Sequence, residues 1–290
     1  MAHFDRVVVI FNPLSTGDAQ NKAQELRDEL AVRAPDLLVE LVETQHAGHA
    51  RELAADAAAT GRPLVISVSG DGGYNEVVNG AMRANNDNAA CAVLAAGNAN
   101  DYDRTTAEHP LIDAIVSGEV CRIDLLRLTV DGTSRYAHSY IGLGISPAVA
   151  LDLAQGGKGS LREVFAAARA FARFRPFEIE RPDGTHGQFD SIIFANINQM
   201  AKVATLSEDD ERPDDGTFEV ITLRHAAKWR ILGTALKASV RGLGPQPSVT
   251  EYAFTTIGAT PIQVDGEVTE LHANTPVRVD IAPKALRTVL

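Results

Sequence analysis

Two clusters of Gly, Asp and Asn each follow a short apolar run. Ser69-Gly70-Asp71-Gly72-Gly73-Tyr74-Asn75-Glu76 follows residues 64–68 and leads into a helical pattern; Ala95-Ala96-Gly97-Asn98-Ala99-Asn100-Asp101-Tyr102 follows residues 90–94. A Gly-rich turn at the carboxyl end of a parallel strand lets backbone N–H groups approach phosphate oxygens at a helix N-terminus. Asp71 inside the first turn would repel a bare phosphate, which points to Mg²⁺ or water between it and a nucleotide. A tight turn capped by Asp accounts for those eight residues equally well by themselves. Two such turns at the ends of adjacent strands would converge on one crevice, and that favours a binding role. Asn12-Pro13-Leu14-Ser15-Thr16-Gly17, after the first apolar run, is either a third wall or an ordinary helix start.

The elements that must hold these turns are legible in the pattern. Up to residue 128, Val/Ile/Leu runs alternate with longer Ala-rich segments, the texture of βαβ units around a buried parallel sheet. Strands are expected at residues 7–11, 37–42, 64–68 and 90–94. Helices are expected after the first strand, at 46–60, at 74–84 and between Pro110 and Gly118. Beyond residue 128 the turn dipeptides Asp131-Gly132, Asp183-Gly184, Asp215-Gly216 and Asp265-Gly266 sit beside β-branched and aromatic runs, which reads as mainly antiparallel β. Two helical segments, 161–174 and 226–240, interrupt it. Both mix Arg or Lys with aromatic residues, which suits packing on a sheet, or for one of them peripheral contact with an anionic membrane.

Composition bounds the remaining choices. In 290 residues a net charge of −11 argues against a dominant nucleic-acid surface. Cys91 and Cys121 are too few for a disulfide framework, so a reducing cytoplasm is expected. No run approaches the ~20 apolar residues of a membrane span, and residues 7–11 are too short for a signal-peptide core. There is no GxxxxGK[ST] and no GxSxG. His46 and His49 share a helix face without an evident third metal ligand. The run Glu208-Asp209-Asp210-Glu211 reads as a solvated acidic loop, with a hard-cation site as the alternative.

The three turn stretches, in this order, resemble the diacylglycerol kinase catalytic-domain family, which includes bacterial lipid kinases and sphingosine and ceramide kinases and is more distantly similar to NAD kinases. Asn12-Pro13-x-Ser15-x-Gly17 is similar to its NPxSG element, residues 69–80 (SGDGGYNEVVNG) to GGDGTxNEVxNG, and residues 97–102 (GNANDY) to GTxNDF. Ile123-Asp124-Leu125, Asp214-Asp215-Gly216-Thr217-Phe218 and Val264-Asp265-Gly266-Glu267 are similar to later family elements, so the resemblance spans nearly the whole chain.

The resemblance implies an N-terminal three-layer α/β nucleotide domain at residues 1–128, a C-terminal antiparallel β-sandwich with helices at 129–290, and an active site in the cleft between them. It puts Asn12, Thr44, Ser69, Gly70, Asp71, Gly72, Gly73, Asn75, Glu76 and Asn98 at the nucleotide, and Asp71, Asp101 and Asp124 around the phosphates and metal. Glu267 matches the general base, although a turn carboxylate is its plain alternative. Asp215, with the carbonyl of Thr217, matches part of a structural Mg²⁺ site. The implied reaction moves the γ-phosphoryl group of ATP to a hydroxyl of diacylglycerol or a related lipid, with a lipid substrate and transient peripheral membrane contact as its partners. Gly73 and Asn98 stand where the family has Thr. Weaker nucleotide binding, another phosphate donor and loss of catalysis therefore stay open, as does a soluble acceptor such as NAD.

Overall fold

Short apolar runs walled by turn residues become strands in the computed structural model, which describes residues 4–15, 17–97, 100–106, 109–144, 175–197, 199–200, 204–205, 214–225 and 246–289. The chain divides into two units: Met1–Leu125 with Arg212–Asp215 and Pro283–Leu290, and Leu126–Glu211 with Gly216–Ala282.

In the first unit β1 (Arg6–Phe11), α1 (Ala19–Arg33), β2 (Leu38–Glu43), α2 (His49–Ala58), β3 (Pro63–Ser69), α3 (Asp71–Ala84), β4 (Ala90–Ala95), α4 (Asp101–Thr106), α5 (Leu111–Ser117) and β5 (Cys121–Val130) follow in order. The first four strands are parallel in the order β4-β3-β1-β2, with Val9 level with both Leu41 and Ile66, and Ile66 level with Ala92. β1 and β3 are mostly apolar, Val7–Phe11 and Leu64–Ile66 with Val68, because both of their faces are covered. Val7, Val9, Phe11, Leu64, Ile66 and Val68 pack with Leu26 and Leu30 of α1 and Ala114 and Ile115 of α5. The alternation of the pleat turns Val8, Ile10 and Val65 to the opposite face, and α2 and α3 cover it. α2 and α3 approach closely, since a Cβ at Gly80 would stand 2.8 Å from the Ala54 methyl.

Helix ends differ from the sequence expectation where glycine decides them. α2 starts at His49 rather than residue 46 because Gly48, at φ 81°, breaks the turn before it. α3 starts at Asp71 rather than Tyr74, so the Gly-rich stretch is itself the first turn of the helix, held there by the packing of Tyr74, Val77 and Val78. α5 lies between Pro110 and the left-handed Gly118, as expected.

The second unit adds β6 (Thr133–Ala137), β7 (Tyr140–Gly144), β8 (Phe177–Glu180), β9 (His186–Ala195), the small ribbon β10 (Gln199–Met200) and β11 (Ala204–Thr205), β12 (Phe218–Arg224), β13 (Ser248–Val249), β14 (Glu251–Thr256), β15 (Thr260–Val264), β16 (Glu267–Leu271) and β17 (Pro276–Thr288). The order β16-β15-β7-β9-β8-β14-β17 is antiparallel throughout, and β12 adds a second antiparallel partner to β9. Phe194 meets Phe218 and Phe254 at the middle of its core. Two of the turn dipeptides are two-residue hairpins with both positions left-handed: Asp131-Gly132 (φ 48° and 76°) and Asp265-Gly266 (φ 44° and 93°).

The sequence boundary at residue 128 lies close to the division after Leu125, but the final segment Pro283–Leu290 belongs to the first unit. There β17 pairs parallel with β4 at Thr288 and Cys91, a contact between distant parts of the chain that local texture does not encode. The segments 161–174 and 226–240 lie outside the described residues. Among the described residues no helix is long and apolar enough to cross a membrane.

Candidate functional site

β1, β3 and β4 are neighbours in one parallel sheet, so the loops leaving their carboxyl ends are neighbours too. Their backbones touch. Any Cβ on Gly17 would overlap the Ala96 carbonyl, and a Cβ on Gly70 would stand 3.1 Å from the Gly97 Cα. The Ala96 N–H donates to the Ser69 carbonyl at 2.8 Å. Each loop also holds itself: Asn12 Oδ1 accepts the Leu14 N–H (2.9 Å), Ser15 Oγ accepts the Gly17 N–H (3.2 Å), and Asn100 exchanges two hydrogen bonds with the backbone of Gly97 (2.9 and 3.0 Å). Thr44 is placed by its N–H, which donates to the Phe11 carbonyl at 2.9 Å.

A cavity of about 580 Å³ opens over these loops, a size that suits a nucleotide. Asn12, Thr44, Ser69, Gly70, Gly73 and Glu76 line it. Asp71, Gly72 and Asn75 do not, and Asn98 lies outside the described residues. Asn75 is buried, and its side-chain and backbone oxygens accept from Asn79 Nδ2. The N-cap of α3 is Gly70, which offers no side-chain cap, so the N-terminal end of the helix, with its positive dipole and its N–H donors, borders the cavity at Gly70 and Gly73. This donor set fits phosphate oxygens.

The expected acidic residues of this unit have other partners. Asp71 accepts the N–H groups of Asp101 and Tyr102, both at 3.1 Å, and so caps α4. Asp101 is buried and pairs with Arg104 at 2.8 Å. Asp124 is fully buried and accepts the N–H of Lys284, a left-handed residue of the returning strand, at 2.6 Å. Two groups missed in the sequence join them. Asp103 has its carboxyl pKa raised by burial first and by the charge of Asp71 second, against the opposing pull of Lys22. Lys22 donates to the Ala95 carbonyl at 2.6 Å. Nothing in the spacing of residues 22, 71 and 103 marks them as neighbours.

In the second unit Glu267 is exposed, with Arg135 Nη1 3.9 Å from its carboxylate. Its neighbour in sequence, Asp265, is completely buried. The Asp265 carboxylate accepts the N–H groups of His138 (2.7 Å), Ser139 (3.0 Å) and Tyr140 (2.9 Å) and lies 3.3 Å from His138 Nε2. His138 Nδ1 in turn is 2.7 Å from Ser139 Oγ. This buried Ser-His-Asp group is closed to any substrate and serves to fix the β15–β16 turn that presents Glu267. In the sequence Asp265 signals only a hairpin. Asp215 is exposed and Thr217 half-buried in the turn ahead of β12. Their oxygens are the ligand type that Mg²⁺ prefers.

His46 and His49 acquire a third neighbour, Glu52, with the ligand atoms of all three within 4.8 Å. The imidazoles, however, stack at 4.5 Å with 19° between planes, so their ring lone pairs run side by side rather than converging on an ion. His49 Nδ1 instead accepts the Gln45 N–H at 3.0 Å ahead of α2.

Comparison with known proteins follows the same lines. Residues 6–128 match the model of the family described as diacylglycerol kinase catalytic domain. Proteins of Staphylococcus aureus named "Putative lipid kinase" are similar at 21–22% identity over 241 residues, 77% of this chain and 76% of theirs. A crystal structure titled as a diacylglycerol kinase from Bacillus anthracis superposes with a TM-score of 0.73 at 18% identity, covering 99% of this chain and 97% of that one. That likeness carries the fold, an N-terminal α/β unit followed by an antiparallel β-rich one.

Proposed function

We propose that this chain, whose residues 6–128 match the diacylglycerol kinase catalytic domain, is a member of that family and an ATP-dependent phosphotransferase acting on a lipid hydroxyl. The observation that carries the reading is the meeting of three loop backbones, Gly17 on Ala96 and Gly70 on Gly97, beside an uncapped helix N-terminus and a cavity of nucleotide size. The Staphylococcus aureus relatives named as lipid kinases favour a lipid acceptor.

Phosphoryl transfer needs little covalent chemistry from the protein: the phosphates must be held, the acceptor hydroxyl oriented, and its proton taken. Gly70 and the first turn of α3 hold phosphate oxygens by backbone N–H groups, and Asn12 and Thr44 line the remainder of the nucleotide cavity. Asp71 orders α4 through its two N–H contacts and so keeps the second turn in place. Glu267 receives the proton of the acceptor hydroxyl. Asp215 and the Thr217 carbonyl would hold Mg²⁺. When bound, the ion neutralises negative charge and stiffens the turn ahead of β12.

Replacing Glu267 by Ala tests the assignment. A lost general base costs about 10²- to 10⁴-fold in turnover, whereas Mg-ATP binding measured by calorimetry should match the unaltered protein. Unchanged turnover in Glu267→Ala would sink the assignment of the base.

A further inference from the structure

Where β3 runs into α3, three positions compete for one small volume. Ser67 Oγ and Ser69 Oγ lie 2.6 Å apart, and the Ser69 hydroxyl donates to the Gly70 carbonyl at 3.0 Å. Ser67, Ser69 and Gly73 all line the cavity. A Cβ at Gly73 would stand 2.6 Å from both Cβ and Oγ of Ser69. Rotating Ser69 about χ1 relieves the second clash and leaves the first, because Cβ is fixed by the backbone. The space of a residue-73 side chain is therefore already occupied by Ser69. In the signature that residues 69–80 resemble, the arrangement is reversed, with Gly at the position of Ser69 and Thr at that of Gly73.

We propose that residues 69 and 73 form a coupled pair in which only one side chain is accommodated, and that Ser69 is the hydroxyl ligand of the phosphate turn in place of the one Gly73 lacks. The inference rests on the nucleotide reading above. A hydroxyl has one proton and two acceptor sites. With Ser67 donating to Ser69 Oγ, the Ser69 proton now given to Gly70 is the one a phosphate or ribose oxygen receives. Ser67 thereby positions Ser69, and Gly73 is a consequence of Ser69 rather than a loss of function.

Four variants test this: Ser69→Ala, Ser69→Gly, Gly73→Thr and Ser69→Gly/Gly73→Thr, each measured for Mg-ATP affinity by calorimetry and for Tm without nucleotide. Ser69→Ala keeps Cβ and loses the hydroxyl, so affinity should fall about five- to tenfold at unchanged Tm, the size of one hydrogen bond. Gly73→Thr alone should lower Tm and weaken binding at least as much. The double variant should recover both, with Tm above that of Gly73→Thr and affinity above that of Ser69→Gly. Gly73→Thr behaving as the unaltered protein would overturn the coupling, and Ser69→Ala binding Mg-ATP normally would overturn the ligand role. Failure of the unaltered protein itself to bind Mg-ATP would overturn the nucleotide reading and the ligand role together. The Tm series would then still decide the packing claim alone.

Discussion

A carboxylate in a turn proposed to bind phosphate needs a reason not to repel that ligand, and Asp71 has one: two backbone N–H groups of α4 hold its charge. Asp103 is the residue left paying electrostatically, half-buried and close enough to Asp71 for its pKa to rise. An acid whose folded-state pKa is raised binds more protons folded than unfolded. Stability is then lost as pH rises from the ordinary Asp range through the folded pKa, and the penalty is fully present above it. Asp103→Asn should therefore raise Tm at pH 7, and thermal unfolding as a function of pH should show the gain shrinking toward the ordinary Asp range. A gain that persists at low pH would point to helix propensity instead. Glycines and short polar residues of the cavity are readable in sequence because their types and spacing are local. The Asp71–Asp103–Lys22 environment is not, because 81 residues separate its ends in the chain and only folding joins them.

At the scale of elements, turn chemistry explains most of what could be read. Asp-Gly pairs predict two-residue hairpins because both positions need left-handed backbone, and residues 131–132 and 265–266 adopt it. Less legible is that one of those Asp side chains is buried and accepts three N–H groups from the β6–β7 connection. Asp265→Ala would leave these donors unpaired in the interior, at a cost of about 3–5 kcal/mol, as for breaking other buried charged networks. Denaturant unfolding should show that loss, and turnover should fall with it because Glu267 follows in the same turn. Asp131→Ala, in the other left-handed hairpin, should cost less than about 1 kcal/mol. Equal costs at the two sites would contradict a special role for Asp265. Periodicity misplaces the starts of α2 and α3 by a few residues, since the left-handed Gly48 delays α2 and α3 recruits its Gly-rich first turn through tertiary packing rather than propensity.

For the whole molecule, the order of residues conceals which unit the chain end serves. Pro283–Leu290 completes the first unit: Thr288 pairs with Cys91, Lys284 satisfies Asp124, Arg287 donates to the Asn88 carbonyl at 2.6 Å, and Leu286 and Val289 are buried. A chain ending at Ala282 should lose cooperative folding of the first unit. Cys91 reports it, because burial pushes its thiol pKa up to about 12 and keeps it from alkylating reagents near pH 8. Fast labelling of Cys91 is expected in the shortened chain, and slow labelling would show the segment to be dispensable. The central claim, that this molecule moves phosphate from ATP to a lipid, is tested most directly by transfer of labelled γ-phosphate from Mg-ATP to a panel of mixed-micelle lipids, with NAD as soluble acceptor and Glu267→Ala alongside. The predicted result is label in one class of hydroxyl-bearing lipid, none in NAD, and loss of at least about a hundredfold in the variant. Label in NAD alone, or no transfer to any acceptor, would contradict it.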